Sequence, residues 1–386
     1  MAESGKHGHD VHPEEEDTER LYELPDDVKE TANRRGGDYF YREGELLVAK
    51  GDEHLVQETL RKLKAEADPK ASRRDIVRYL LPEGEAVENV VDELRAVSAG
   101  YGRAPVVGPN HVLFGSSHML FGPATLPSPA KERPRLPEGK GLPGEGVRVG
   151  VVDTGIFDHE WLIDRYEAGP GDADVLPTSG PLDPQTGHGT FIAGVVLLHA
   201  PGATVVVRRA AGSSGATDDL TVAAAIDDLP KVHILCLSVG GYSHDGMDLP
   251  ATTAALARLR KRSPRTVVVA AAGNNRTDRP FLPAALKHVI AVAALDERAT
   301  TRADFSNFGP WVDACAPGTD VHSCFVPGEW AHWSGTSFAA PRVAGAIAAA
   351  ASSGVDVVDA AYQLIGASGL SQLDDLGTVV NPPEVV

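Results

Sequence analysis

The chain has 386 residues, of which 42% are hydrophobic and 23% are charged, and its formal net charge at pH 7 is −18. This composition is typical of a soluble globular protein with a sizeable core, and three cysteines are too few for a disulfide scaffold. Such an acidic chain is a poor partner for nucleic acid or anionic lipid. The sequence contains no run of 18 apolar residues, the length needed to span a membrane. The N-terminus lacks the apolar core of a secretory signal, so the expected location is the cytoplasm.

The first 145 residues divide into three stretches of different composition. Residues 1–37 are polar, acidic and without periodicity, which predicts a disordered tail. In residues 38–115, strand-like runs (GELLVAK, DIVRYLLP, PVVGPNHVLFG) alternate with amphipathic stretches at 54–67 and 86–98. This order predicts a small α+β domain, with one sheet and both helices on one of its faces. Residues 116–145 are rich in Pro and Gly and predict a linker or an extended surface segment.

From residue 146 to residue 386, short β-branched runs alternate with Ala-rich helical stretches. The apolar runs of strand length are VRVGVVD, TVVVRR, HILCLSV, RTVVVAAAG and HVIAVAAL. Continuous apolar runs are typical of a parallel sheet that is buried on both faces. Segments such as 220–229 and 249–262 have the length and composition of helices. The alternation predicts an α/β fold, an open sandwich with right-handed crossovers.

Four polar side chains stand at the predicted strand ends and helix starts, where open α/β sheets gather their functional groups. Asp153 ends the run VRVGVVD, and Asn274 follows RTVVVAAAG. His188 and Ser337 precede helical stretches, in the boxes GHGT and SGTSFAAP. Taken singly, each has a structural interpretation as a turn residue, a helix cap or a structural histidine.

Taken together, in the order Asp153, His188, Asn274 and Ser337, these boxes resemble the subtilase family of serine peptidases. Two segments between the boxes strengthen the resemblance, which covers about residues 145–370. LSVGG is similar to the family's substrate-pairing strand, and DFSNFGPWVDACAPG to the segment that leads to its nucleophile. The resemblance implies a subtilisin-like three-layer sandwich with a mostly parallel sheet, and a serine endopeptidase that acts on a peptide or protein substrate.

The resemblance also implies a role for each of these side chains. Ser337 would be the nucleophile, His188 its base, and Asp153 the group that orients the base. The amide of Asn274 and the backbone N–H of Ser337 would bind the oxyanion. The residues expected to bind substrate are Ser238, Val239, Gly240, Ala271, Ala272 and Gly273. The first three would pair with the substrate as a neighbouring strand, and the others would line part of the first specificity pocket.

The chain departs from the family pattern in several places. The helix after the His188 box continues without the Asn/Asp-rich insertion that often holds calcium in subtilases, so we expect no metal, and no cofactor is implied. Phe191 stands where the family often has a second histidine, and we expect it to pack in the core. Cys315 and Cys324 could pair, although small buried hydrophobes are the favoured interpretation.

Residues 38–115 are similar in size and element order to a subtilase pro-domain, a folding chaperone and inhibitor that makes the precursor a zymogen. By this analogy, the strand around 111–115 would enter the active site, and cleavage would fall between about Phe114 and Pro129. A permanently attached domain that recruits substrate is the alternative. A complete set of catalytic boxes without a signal peptide predicts an intracellular processing protease with a limited substrate range.

Two other functions are disfavoured. A non-catalytic binding protein on the same scaffold would not need all four polar residues of the boxes. A nucleotide-binding α/β protein would carry a phosphate-binding glycine motif, but neither G-x-G-x-x-G nor a P-loop follows the strands that end in GVVDTG and VVVAAAGNN.

Overall fold

The computed structural model describes residues 26–32, 38–98, 102–115, 126–135, 137–177, 180–246, 248–352 and 354–382. Most of the predicted acidic tail and residues 116–125 of the predicted linker lie outside these ranges. Within them, no helix is both long enough and apolar enough to cross a membrane.

The described ranges contain both helices and strands in the alternation that the sequence predicts. The α-helices are α1 (Glu53–Lys62), α2 (Val87–Ser98), α3 (His188–His199), α4 (Asp219–Asp228), α5 (Pro250–Arg262), α6 (Thr336–Ala351) and α7 (Val357–Ala361). The strands are β1 (Val28–Ala32), β2 (Asp38–Ala49), β3 (Glu66–Arg73), β4 (Ile76–Leu80), β5 (Val107–Gly115), β6 (Ser128–Ala130), β7 (Arg148–Asp153), β8 (Tyr166–Glu167), β9 (Thr204–Arg209), β10 (Ala216–Asp218), β11 (Ile234–Leu237), β12 (Val239–Gly240), β13 (Val267–Ala271), β14 (Val289–Leu295), β15 (Ala314–Pro317), β16 (Val321–Cys324), β17 (Trp330–Trp333), β18 (Gln372–Leu373) and β19 (Gly377–Val379).

The larger sheet has the order β18-β19-β15-β14-β13-β11-β7-β9-β8. Its neighbours pair in parallel, except β18 with β19, which confirms the predicted mostly parallel sheet. Because successive side chains of a strand point to opposite faces, Val149 and Val151 of β7 join the core under α3 and α6, whereas Val152 joins the core under α4 and α5. Two helical layers therefore enclose one sheet.

A second sheet connects the N-terminal region with the rest of the chain. Its order is β10-β5-β2-β4-β3, with β1 beside β2 and β12 beside β5. Apolar residues of α1 and α2, such as Val56 and Leu94, pack on one face of this sheet, as the sequence predicts for both helices. On the opposite face, Leu47, Ile76 and Leu113 share a core with α4 and α5. The N-terminal sheet is thus enclosed between its own helices and those of the larger region.

In the first 145 residues, the structure departs from the sequence-based expectation at two places and forms a short strand within the predicted linker or extended surface segment. Residues 28–32 fall in the predicted disordered tail, yet they form β1 because their backbone pairs with the start of β2. The predicted helix at 54–67 ends at Lys62, because residues 66–73 form β3 against β4. Within the predicted linker, residues 128–130 form β6, which pairs with β17. At all three places, backbone pairing with a neighbouring strand decides the conformation, and the local composition does not indicate it.

All three cysteines are buried free thiols. Cys315 and Cys324 therefore do not form the disulfide that their spacing left open, and both pack as small hydrophobic residues.

Candidate active site

Asp153 and His188 meet at the C-terminal end of strand β7 in the larger sheet. Oδ1 of Asp153 lies 2.7 Å from Nδ1 of His188, and neither side chain is exposed to solvent. The imidazole stands edge-on to the ring of Trp333 at 5.3 Å and packs against Phe338 at 5.4 Å. Its other nitrogen, Nε2, has no hydrogen-bond partner among the described residues. With Nδ1 held by the carboxylate, Nε2 is available to accept a proton.

A buried hydroxyl and a second carboxylate fix the backbone on both sides of His188. The Thr154 hydroxyl donates to Asp174 over 3.2 Å and accepts from the N–H of Gly189 over 3.1 Å. The same Asp174 oxygen accepts from the N–H of Gly187 over 2.8 Å. Burial raises the pKa of Asp174. Glycine is required at 189, because a β-carbon there would lie 2.1 Å from a carbonyl oxygen of the loop after β7. The position of the imidazole therefore depends on residues that do not touch it.

Asn274 holds an amide donor without a partner. Its Oδ1 accepts from the backbone N–H of Thr336 over 3.0 Å and from the Thr336 hydroxyl over 2.9 Å. That hydroxyl also accepts from the N–H of Gly273 over 3.0 Å. Because two donors converge on one amide atom, that atom is the oxygen, and the NH₂ group points elsewhere. Nδ2 is buried and makes no hydrogen bond within the described structure. An unsatisfied buried donor is unfavourable unless a ligand satisfies it, as an oxyanion would.

Ser337 is the second residue of α6 and is fully buried. Its Oγ lies 3.5 Å from the carbonyl oxygen of Ser238, and the Ser238 hydroxyl donates to the carbonyl of Ser337 over 3.1 Å. That carbonyl is available because Pro341, four residues later, has no N–H to give it. Since Phe338 packs on His188, the starts of α6 and α3 lie together, and the N-terminal end of α6 favours negative charge there.

The six residues predicted to bind substrate continue two neighbouring strands of the larger sheet. Leu237 of β11 is paired with Ala270 of β13, so the segments 238–240 and 271–273 leave the sheet side by side. Gly273 has a φ of +92°, a left-handed conformation that glycine adopts without strain.

The edge formed by β12 is already occupied by the end of β5. Val239 and Gly240 of β12 pair antiparallel with Gly115 and Phe114. On the other side of the same segment, β10 pairs with residues 112–114, and the N–H of Gly115 donates to the carbonyl of Gly215 over 3.1 Å. The last residues of β5 therefore lie between β12 and β10, in a groove beside Ser337.

Sequence reasoning missed three residues that orient this site. Thr154 and Thr336 each adjoin a residue that was selected, so their position in the boxes was a usable signal. Asp174 lies in a loop that holds several acids at irregular spacing, and its contact with Gly187 appears only in the fold.

The arrangement is suited to acyl transfer. It combines a hydroxyl at a helix start, an imidazole held by a buried carboxylate, an unpartnered amide donor, and an edge strand for an extended chain. Such a combination recurs among peptide hydrolases and is recognised by the roles of its members.

Comparisons with known proteins lead to the same family. The profile of the Subtilase family, Peptidase_S8, matches residues 144–356. Over 220 residues the chain is 34% identical to Subtilisin Savinase of Lederbergia lenta, covering 54% of this chain and 77% of that protein. It is also 34% identical over 220 residues to the Alkaline protease of Alkalihalobacillus alcalophilus, covering 54% of this chain and 55% of that protein.

A solved structure agrees at the level of the fold. It is described as the crystal structure of a cold adapted subtilisin-like serine proteinase, with a TM-score of 0.53 at 23% identity, covering 65% of this chain and 96% of that chain. From these matches, the chain belongs to the subtilase family and is a serine endopeptidase with a subtilisin-like fold.

Proposed function

We propose that this chain is a precursor in which an N-terminal unit, residues 38–115, blocks an endopeptidase that depends on Ser337. The mature form would cut a limited set of peptides or proteins inside the cell. The observation that carries the proposal is the end of β5, which lies hydrogen-bonded on both edges in the groove beside Ser337.

The chemical step in this proposal follows from the chemistry of four side chains. Ser337 Oγ attacks the peptide carbonyl while its proton passes to Nε2 of His188, which then gives that proton to the leaving amine. Asp153 holds the imidazole in the required tautomer and stabilises its cation. Nδ2 of Asn274 donates to the carbonyl oxygen as that atom becomes negative. Water then attacks the acyl ester with the same proton transfers, which releases the second product and regenerates the hydroxyl.

The proposal that the N-terminal unit is an inhibitor is supported by the extent of its contacts. Its terminal strand adds to an exposed edge, which is a common mode of peptide capture. Away from the groove, Arg95 pairs with Asp245 over 3.0 Å, and Arg258 pairs with Asp75 over 2.7 Å. The apolar face of its sheet also packs against α4 and α5. A substrate would contact the groove alone, whereas a whole face of the sheet of this unit packs against the rest of the chain.

Self-processing tests the proposal directly. The wild-type chain should shorten on incubation by about 12 kDa, in proportion to the residues up to Gly115 in a 40.7 kDa chain. Its new N-terminus should lie in the predicted interval from Phe114 to Pro129. Ser337→Ala should stay whole, whereas Ser334→Ala, a serine of the same box, should shorten normally. A wild-type chain that cleaves peptides and stays whole would instead favour a permanently attached domain.

Substrate range and location need separate measurements. The mature enzyme, incubated with unfolded casein, should produce few fragments, and cleavage at many dissimilar sites would contradict a limited range. The cytoplasmic location stays a prediction of the sequence. Fractionation of producing cells, with detection of this chain in each fraction, would test it.

A further inference from the structure

A phenyl ring lies between the two segments expected to bind substrate, 238–240 and 271–273. Gly240 ends β12, and Gly273 follows β13. A β-carbon on Gly240 would lie 2.4 Å from Cε1 of Phe281, and a β-carbon on Gly273 would lie 2.9 Å from Cδ2 of Phe281. These two atoms belong to opposite edges of the ring, so the ring spans the gap between the two glycines. Phe281 has no surface exposed to solvent.

The Phe281 ring is fixed by its neighbours. Leu282 exchanges two backbone hydrogen bonds with Gly241, at 2.8 and 2.9 Å. The ring of Tyr242 stands edge-on to Phe281 with 5.4 Å between centroids, and the Tyr242 hydroxyl accepts from Nδ2 of Asn307 over 3.1 Å. A side chain held in this way in a packed interior cannot move aside without disturbing several contacts.

The register of the groove shows which substrate side chain meets this ring. Gly115 lies opposite Val239, so the next position of an extended chain in this register would be opposite Ser238. The carbonyl oxygen of Ser238 is 3.5 Å from Oγ of Ser337. The residue at that position would therefore acylate Ser337, and we infer that its side chain would enter between Gly240 and Gly273, where the Phe281 ring lies. In the sequence, Gly115 is followed by Ser116, a small residue that lies outside the described ranges.

We propose that Phe281 closes the first specificity pocket, so that this endopeptidase cleaves after Gly, Ala or Ser and rejects aromatic and long aliphatic residues. The inference rests on the proposed function and adds its substrate class. The size of this pocket sets specificity in serine peptidases, and a fixed wall excludes a larger side chain because overpacking strains the surrounding structure.

A peptide series tests the inference on the self-processed enzyme. Internally quenched peptides would carry the groove sequence Val-Leu-Phe-Gly-X-Ser, with X as Ala, Ser, Leu or Phe, and kcat/KM would be measured for each. With the wild type we expect cleavage after X, and a preference of at least roughly 100-fold for Ala or Ser over Phe. Phe281→Ala should raise the ratio of the Phe value to the Ala value by at least about tenfold.

A control separates pocket size from general loss of packing. Phe157 is another buried phenylalanine, and it packs in the core between the larger sheet and α3. Phe157→Ala should lower the midpoint of thermal unfolding but leave the ratio of the two kcat/KM values within about twofold. Because the readout is a ratio within each variant, partial unfolding of Phe281→Ala would affect both peptides equally. Phe281→Leu, which keeps most of the buried volume, should give an intermediate ratio.

The possible failures are distinguishable. If the wild type cleaves after Phe or Leu as well as after Ala, the inference is wrong and the proposed function stands. The same holds if Phe281→Ala and Phe157→Ala change the ratio equally. If no peptide is cleaved and a fluorophosphonate probe does not label Ser337, the proposed function fails, and the inference fails with it.

Discussion

Acidification should weaken the attachment of the N-terminal unit through one buried histidine. His111 lies on β5 with 2% of its surface exposed, and its Nε2 accepts a hydrogen bond from the backbone N–H of His244 over 3.1 Å. An accepting nitrogen carries no proton, so the imidazole is neutral in the docked state. Burial lowers the pKa of His111 from 6.5 to about 3, and Asp245 opposes this shift.

The size of the effect follows from the difference between the two pKa values. When the unit is released or the chain unfolds, the pKa of His111 returns to near 6.5. Below that pH the released imidazole binds a proton, whereas the docked imidazole stays neutral. The docked state is therefore fully favoured above pH 6.5 and loses stability as the pH falls from 6.5 toward 3. At pH 5.0 the loss from this residue is about 2 kcal/mol, at roughly 1.4 kcal/mol for each pH unit.

Urea unfolding can isolate this contribution. The free energy of unfolding would be measured at pH 7.5 and 5.0 in the Ser337→Ala background, which prevents self-digestion. In the paired chain, His111→Gln retains an acceptor for the His244 N–H but does not titrate. The fall in stability between the two pH values should be about 2 kcal/mol larger in the chain that keeps His111 than in the chain that carries His111→Gln. Equal falls in the two chains would refute the reasoning, because all other titrating groups are common to both.

Three further predictions concern the active site. Asn274→Leu removes the free amide donor and should lower kcat by roughly 10²–10³, a magnitude measured in a subtilisin, with little change in KM; an unchanged kcat would contradict the oxyanion role. Asp153→Asn should lower kcat by about 10⁴ with the fold intact by circular dichroism, because the amide would favour the wrong tautomer of His188. Gly189→Ala should lower the free energy of unfolding by roughly 2–4 kcal/mol in urea, since the added carbon would lie 2.1 Å from a carbonyl oxygen. Gly51→Ala, where a β-carbon meets nothing within 4 Å, is its control and should change stability by less than about 0.5 kcal/mol.

The larger sheet could be predicted from the sequence because its pattern is local. β7, β11, β13 and β14 are continuous apolar runs, and a strand buried on both faces needs no partner to be recognised. The boxes around Asp153, His188 and Ser337 were equally legible, since each combines a chemically active side chain with neighbours that shape its backbone.

The remaining features depend on contacts between distant segments. β3 reads EADPKASR, which has no alternation of apolar residues, and it is a strand because β4 offers a free edge. Nothing in the sequence marks Asp174 as a site residue, because only the fold brings its loop against the start of α3. Phe281 follows a charged loop in the sequence, and nothing local shows that its ring fills a gap between two glycines far apart in the chain.

The same specificity pocket should govern self-processing and substrate selection, because the chain's own β5 lies in the groove that a substrate would use. If Phe281 limits the pocket to small residues, the sequence after Gly115 has to satisfy the same limit, and Ser116 does. Ser116→Phe should therefore block the self-processing of an otherwise wild-type chain, as followed by gel electrophoresis over time. Combining it with Phe281→Ala should restore processing, whereas combining it with Phe157→Ala should not. Rescue by both alanine variants would show that looser packing, and not the depth of the pocket, permits cleavage.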